Sequence, residues 1–263
     1  VHVRRALWLA LPLFAFTTAA GAADLPEIKR RGTLRVLAVV DEKEPEFFSL
    51  KAAMPGFDRE ILEGFAHTQG LRLDVVVVPN WQALMPWLAS DKGDLIAGRV
   101  SDTPSRRGQA DFTREVFPTR IVAVNRKPRP PVTSVADLAT QRVGTIMGTS
   151  MVDAVKAAGL PVQKLVPLFA GTLSESLREG KVEVAVWALE GALLAQRRDR
   201  DLQLGPFLGP AESLAYGVHK DAPLLLRALN DHIATVRRTG TWNRLVVKYF
   251  GDAAPAILSR VKD

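Results

Sequence analysis

Residues 94–112, DLIAGRVSDTPSRRGQADF, pass from a short apolar run, Leu95 to Ala97, into a polar turn that opens a short helix. Thr103 stands where an N-cap belongs, and Pro104 follows at the first helical position. Arg106 and Arg107 then fall in the first turn, at the positive end of the helix dipole, where carboxylates would be favoured. A guest anion resolves that conflict, because free backbone N–H groups, the Thr103 hydroxyl and a planar guanidinium together cradle a carboxylate. The alternative is a solvated turn whose arginines serve solubility.

Outward from this stretch the chain alternates. Upstream lie a strand at Leu34 to Val40, a helix opened by Phe57-Asp58 with Ile61, Leu62, Phe65 and Ala66 on one face, a valine-rich strand at Leu71 to Val78, and a helix from Trp81 to Ala89. Near-continuous apolar strands of this kind belong to a parallel sheet covered on both faces. Downstream of the proline-rich 127–131, the pattern repeats. Strands are expected at Arg142 to Ile146, Val162 to Leu168 and Val182 to Val186, with helices at Ser150 to Ala158 and Leu173 to Glu179. The tail adds a strand at Leu214 to His219 and helices at Pro223 to Arg238 and Thr241 to Tyr249, too few strands for a third domain. The expected architecture is therefore α/β and two-lobed, with lobe one at 23–122 plus 217–263, lobe two at 123–216, and a ligand cleft between them.

Composition narrows the class. The 263 residues are 47% apolar, enough for one large or two modest cores, and cysteine is absent, which excludes disulfides and thiolate metal sites. Residues 1–22 read as a cleavable signal peptide: basic Arg4 and Arg5, an apolar run from Ala6 to Phe16, then Ala20-Gly21-Ala22. That run is shorter than a membrane span needs, so a protein exported to the periplasm is expected. The formal charge of +7 falls to +5 without Arg4 and Arg5, and its cations are neither clustered nor interleaved with aromatics. Nucleic acid is therefore a poor partner, whereas an anionic ligand or simple solubility accounts for the balance. His2, His67, His219 and His232 show no ligand spacing, there is no G-x-S-x-G or phosphate-loop pattern, and no metal, cofactor or catalytic constellation is expected.

The second lobe offers a counterpart to the opening stretch. The strand ending at Ile146 runs into Met147-Gly148-Thr149-Ser150, and Ser150 with Asp153 makes a capping box. Two helix starts, one per lobe, would close on the same anion. Ordinary capping is the alternative for Ser150.

With these pieces together, the chain resembles the amino-acid-binding family of periplasmic solute-binding proteins of ABC transporters, with the type II fold. The resemblance runs from Gly32 to Gly251, through GTLRVLAV (32–39), GFDREIL (56–62), WQALMPWLASDKGDLIAG (81–98), TPSRRGQADF (103–112), ADLATQRVGTIMGTS (136–150) and GTWNRLVVKYFG (240–251). It implies a ligand carboxylate held by Arg106, Thr103, Thr149 and Ser150, an amino group contacted by Ser101, and Phe48 and Trp81 packing on the ligand. Core packing is the alternative for each aromatic. It also implies delivery to an inner-membrane permease by a monomer.

Two departures bear on the ligand. The family's usual ammonium-binding aspartate falls here on Ala188, with Glu190 two residues on, either as a substitute or as a solvated helix start. Arg99 stands where a small residue is usual. Both point to a carboxylate or dicarboxylate without the ammonium group. The resemblance extends to a periplasmic cyclohexadienyl-dehydratase-like enzyme, in which Glu190 would be the general acid, and to membrane-bound lytic transglycosylases. Against the latter, 12 residues after Gly251 are too few for a lysozyme-like domain. A sensory or accessory ligand-binding protein is a third class.

Overall fold

The computed structural model describes residues 23–42, 45–169, 171–252, 254–259 and 261, so the expected signal peptide lies outside the described residues. The first segment comprises α1 (Leu25–Arg31), β1 (Thr33–Ala38), α2 (Phe57–Thr68), β2 (Arg72–Val77), α3 (Leu84–Ala89), β3 (Leu95–Ala97), α4 (Pro104–Arg107) and β4 (Asp111–Phe112). The middle segment comprises β5 (Phe117–Arg126), β6 (Val143–Ile146), α5 (Ser150–Ala157), β7 (Val166–Leu168), α6 (Leu173–Arg178), β8 (Val184–Ala188), α7 (Leu189–Arg198) and β9 (Leu202–Leu214). The chain then returns through β10 (Gly217–Val218), α8 (Pro223–Arg238), α9 (Thr241–Phe250) and α10 (Ala254–Ser259).

Two five-stranded sheets result, ordered β2-β1-β3-β10-β4 and β7-β6-β8-β5-β9. In the first, β1 lies parallel to both β2 and β3, and the returning β10 inserts antiparallel between β3 and β4. Leu34, Val36, Leu37, Leu95 and Ile96 are fully buried, which is why these strands read as continuous apolar runs. Asp94 locks β3 beside β1. Its buried carboxylate accepts from the Arg35 amide at 2.7 Å and from Arg35 Nη2 at 2.8 Å, and it pairs with Arg31, while its own amide donates to the Arg35 carbonyl at 2.8 Å.

The return is anchored from the start of the chain. Ala222 gives α8 no side-chain cap, and Asp24 supplies one, accepting from the amides of Leu224 and Leu225 at 3.1 and 2.8 Å. Phe250 of α9 joins Phe47, Phe57 and Phe117 in a cluster with ring centroids 4.9–6.0 Å apart, mostly edge-on or tilted.

Several elements differ from expectation. The strand β5 begins at Phe117 and pairs along its length with β8 and β9, so the second sheet starts upstream of residue 123. The expected strand at Leu214 to His219 is broken at Ala215-Tyr216, where the chain changes sheets. The expected strand at Val162 to Leu168 forms only over its last three residues, because a 3-10 turn follows Pro161. The 13-residue β9 carries Gly205-Pro206 and Gly209-Pro210, which read as turn signals. It persists because it is an edge strand, where proline costs no ladder donor, and Gly209 at φ 73° sits in a register shift opposite Thr119 to Ile121. Among the described residues no helix is long and apolar enough to cross a membrane.

Candidate functional site

The carboxyl end of β3 turns sharply into the cleft. Gly98 and Arg99 both take left-handed backbone, φ 88° and 64°, and for arginine that conformation is strained. Asp58, in the first turn of α2, holds the turn in place: its Oδ2 accepts from the amides of Gly98 and Arg99 at 3.2 and 3.1 Å, and the Tyr216 hydroxyl donates to Oδ1 at 3.2 Å. Asp58 is 3% exposed, and burial pushes its carboxyl up to about 6 despite these donors and the Arg99 charge. Sequence reading treated Asp58 only as a helix opener. The signal that it does more was an acid directly after Gly56-Phe57, too close to the helix start for solvent exposure to be assumed.

The Asp58 shift has a defined sign. The folded state holds the proton more tightly than the unfolded chain, so the group's contribution is fully present below the ordinary carboxylate value and is lost as pH rises through about 6. In urea unfolding, wild type should therefore lose on the order of 2 kcal/mol relative to Asp58→Asn between pH 4 and pH 7. Parallel pH profiles for the two proteins would show that Asp58 titrates normally.

Arg106 and Arg107 part company. Arg107 turns outward and pairs with Asp102. Arg106 folds back so that its Nη1 donates to the Ser101 carbonyl at 2.8 Å; no carboxylate of the described residues lies within ion-pairing distance of it. Burial pushes the Arg106 guanidinium below its ordinary value, opposed by the more distant charges of Asp153 and Glu212. Thr103 is the N-cap of α4: its Oγ1 accepts from the Arg106 amide at 3.4 Å and shares a hydrogen bond with Ser105 at 3.1 Å. Its hydroxyl is thus engaged in shaping the turn, and Thr103 is not among the cleft-lining residues.

In the second lobe the helix begins one residue earlier than the capping box requires. Thr149, extended at ψ 166°, is the N-cap of α5, and Ser150 is the first helical residue. The Ser150–Asp153 box does not form. The Thr149 hydroxyl instead donates to the Ile146 carbonyl at 2.7 Å, and Ser150 Oγ meets Ser101 Oγ at 3.0 Å, a hydrogen bond from one lobe to the other. The amides of Ser150 and Met151 stand in the first turn of α5, where the helix itself supplies no acceptor. Gly148, at φ 74°, lies so close to lobe one that a Cβ would sit 2.4 Å from Gln82 Cγ. The lobes are in contact here.

Arg99, Ser101, Arg106, Trp81, Thr149, Ser150, Trp187, Ala188 and Glu190 line this cleft. Trp81 is partly exposed and its Nε1 is buried with no acceptor among the described residues. Phe48 lies elsewhere: it is 3% exposed in the lobe-one core, with its side chain under Gly98. Glu190 is not a solvated helix start. It is 3% exposed, accepts a hydrogen bond from Thr119, and has its carboxyl pushed up by burial, partly offset by Thr119 and the Arg99 charge. Behind it lies a second, mainly apolar cavity lined by Phe117, Leu193, Leu194, Phe250 and Leu258, so Glu190 forms the wall between the two spaces.

A partly desolvated guanidinium, a helix start and a hydroxyl pair that spans the lobes thus line the cleft of a two-lobed α/β fold. The chain belongs to the bacterial extracellular solute-binding proteins, family 3, whose family model matches residues 35–252. It is 29% identical over 262 residues to the histidine-binding periplasmic protein of Salmonella typhimurium, covering 93% of this chain and 96% of that one. It is 23% identical over 252 residues to membrane-bound lytic murein transglycosylase F of Desulfosudis oleivorans, covering 93% of this chain and 55% of that one. The chain thus spans about half the length of the transglycosylase relatives. Among solved structures, a mutant of ArgBP from T. maritima matches with TM-score 0.77 and 26% identity, over 87% of this chain and 99% of that one. An ancestral amino acid-binding protein, a precursor of cyclohexadienyl dehydratase, shares the fold with TM-score 0.75 at 23% identity, over 86% and 99% of the two chains.

Proposed function

We propose that the protein is a periplasmic, monomeric binding protein that captures a small carboxylate-bearing solute, an amino acid or related organic acid, and delivers it to an ABC transporter permease in the inner membrane. The observation that carries this reading is Arg106: half-buried at the cleft wall, its side chain has the Ser101 carbonyl as its hydrogen-bond partner among the described residues, and it lines the same cleft as Thr149 and Ser150 at the start of α5. A ligand carboxylate would complete its hydrogen bonding and add the charge that its surroundings lack. The histidine-binding relative, nearly full-length in its match, supports an amino acid as one form of that ligand. Binding without turnover is proposed because the cleft pairs its cations with one lining acid, Glu190.

The test is a thermal-shift screen against amino acids, mono- and dicarboxylates and aromatic acids. A ligand at about 100 times its dissociation constant adds about 2.7 kcal/mol of stability. Stabilisation by acids but not by their methyl esters supports the reading. A protein that no acid stabilises would instead be an accessory or sensory component.

One observation favours a second reading. Glu190 is a buried acid, held protonated more readily than usual, at the wall of the cleft, which is the state a general acid of a cyclohexadienyl-dehydratase-like enzyme requires. Incubation with prephenate-like acids, followed by product analysis, separates the two: no product formation leaves the binding protein.

A further inference from the structure

Apart from the carboxylate cleft, we infer that the cavity behind Glu190 is a second binding site, which takes an uncharged aromatic molecule of two fused rings. The cavity holds about 320 Å³, against about 40 Å³ in the cleft. It lies where the middle segment meets the returning chain: Leu194 and Arg197 come from α7, Phe117 from the start of β5, Phe250 from α9 and Leu258 from α10. Pockets that take small molecules form preferentially at such junctions, and they are mostly apolar with a few placed polar groups. Phe117, Leu194, Phe250 and Leu258 are 1%, 7%, 8% and 6% exposed, so packing on their outer sides holds these walls in place. Glu190 closes the inner end and separates this space from the cleft.

Size and charge select the occupant. A cavity of about 150 Å³ lined by leucine, isoleucine and phenylalanine is large enough to bind benzene. Roughly twice that space holds a bicyclic ring, whose faces are stabilised against Phe117 and Phe250 without any ionic contact. The charged lining groups offer no net sign. Arg197 and Asp252, both exposed, bring one cation and one anion to the mouth, and Arg197 Nη1 donates to the Phe250 carbonyl at 2.6 Å. That contact also ties α7 to the end of α9, where a Cβ on Gly251 would sit 2.8 Å from Arg197 Nη1. At the inner wall Glu190 accepts from Thr119, and burial holds its carboxyl toward the neutral form. An ion entering here would give up its hydration without gaining an opposite charge inside, whereas an uncharged ring loses nothing.

The experiment is isothermal titration of the full chain with indole. Wild type should bind it with a dissociation constant on the order of 0.1–1 mM, the range open to so small a ligand. Leu194→Trp and Leu258→Trp each fill the cavity with a ring of the chain's own, from different helices, and each should weaken indole binding by at least about 10-fold. A melting curve checks that each variant folds, and two variants keep the test decisive if one does not. In the Arg106→Ala background, which removes the anion's partner in the cleft, indole-3-acetate should bind at least about 10-fold more weakly than indole. No binding of indole to wild type, or binding that survives in the folded cavity-filling variants, overturns the site. Equal or tighter binding of the acid in Arg106→Ala overturns the uncharged occupant. Each of these failures leaves the carboxylate reading intact, because that reading rests on Arg106 and the other face of Glu190.

Discussion

Arg106→Ala should weaken binding of the acid ligand by on the order of 100- to 1000-fold, because the ligand carboxylate would enter a desolvated site stripped of its charged partner. The same substitution should leave the unliganded protein at least as stable as wild type. It removes a guanidinium whose burial is only partly compensated, with Ser101 as its hydrogen-bond partner, and α4 retains its Thr103 cap and Pro104. Titration calorimetry and an unliganded melting curve check the two halves together. Unchanged affinity would remove Arg106 from the site and with it the central argument for an anionic ligand. Loss of both affinity and stability would mean that the arginine holds the fold, not the ligand.

The second large effect is structural. Asp94→Ala should destabilise the protein by about 3 kcal/mol, since it leaves Arg35 and Arg31 facing a buried gap and removes an acceptor of the Arg35 amide. The figure is set at the low end of the range for a broken buried pair because the Arg31 and Arg35 side chains remain 33% and 23% exposed. Urea unfolding measures it through the midpoint. A loss below about 0.5 kcal/mol, the scale of surface substitutions, would show that the network is solvent-screened and that apolar packing alone sets β3 against β1. The consequence for function follows from position: β3 leads directly into the Gly98-Arg99 turn, so loosening its start disturbs the cleft wall as well.

The parts of the site that were legible depend on local chemistry. Thr103 with Pro104 marks a helix start whatever surrounds it, and Gly148 before Thr149 marks a turn, though that lobe one's Gln82 packs against it is a tertiary fact. Other parts depend on which segments meet. The capping box failed at Ser150 because its hydroxyl found Ser101 from the other lobe, and no rule confined to neighbours in sequence anticipates that partner. Phe48 and Trp81 illustrate the same limit: both are aromatics near the expected cleft, and only packing places one in the lobe-one core and the other at the cleft wall. The strand β9 was missed for a related reason, since Gly-Pro pairs signal turns unless the strand lies at an edge, and edge position is a property of the sheet.

What the sequence by itself determined was the alternation of strands and helices, the two-lobed α/β class and the Thr103-Pro104 helix start, because hydrophobic period and capping act over a few residues. What only the tertiary structure decided was the direction and company of the charged groups. Arg106 turns inward while Arg107 meets Asp102, Glu190 is buried against Thr119 rather than solvated, and Asp58 is drawn under the Arg99 turn. The physical reason is that the energy of a charge depends on its desolvation and on partners distant in sequence, both of which come into being only when the two lobes and the returning helices pack together.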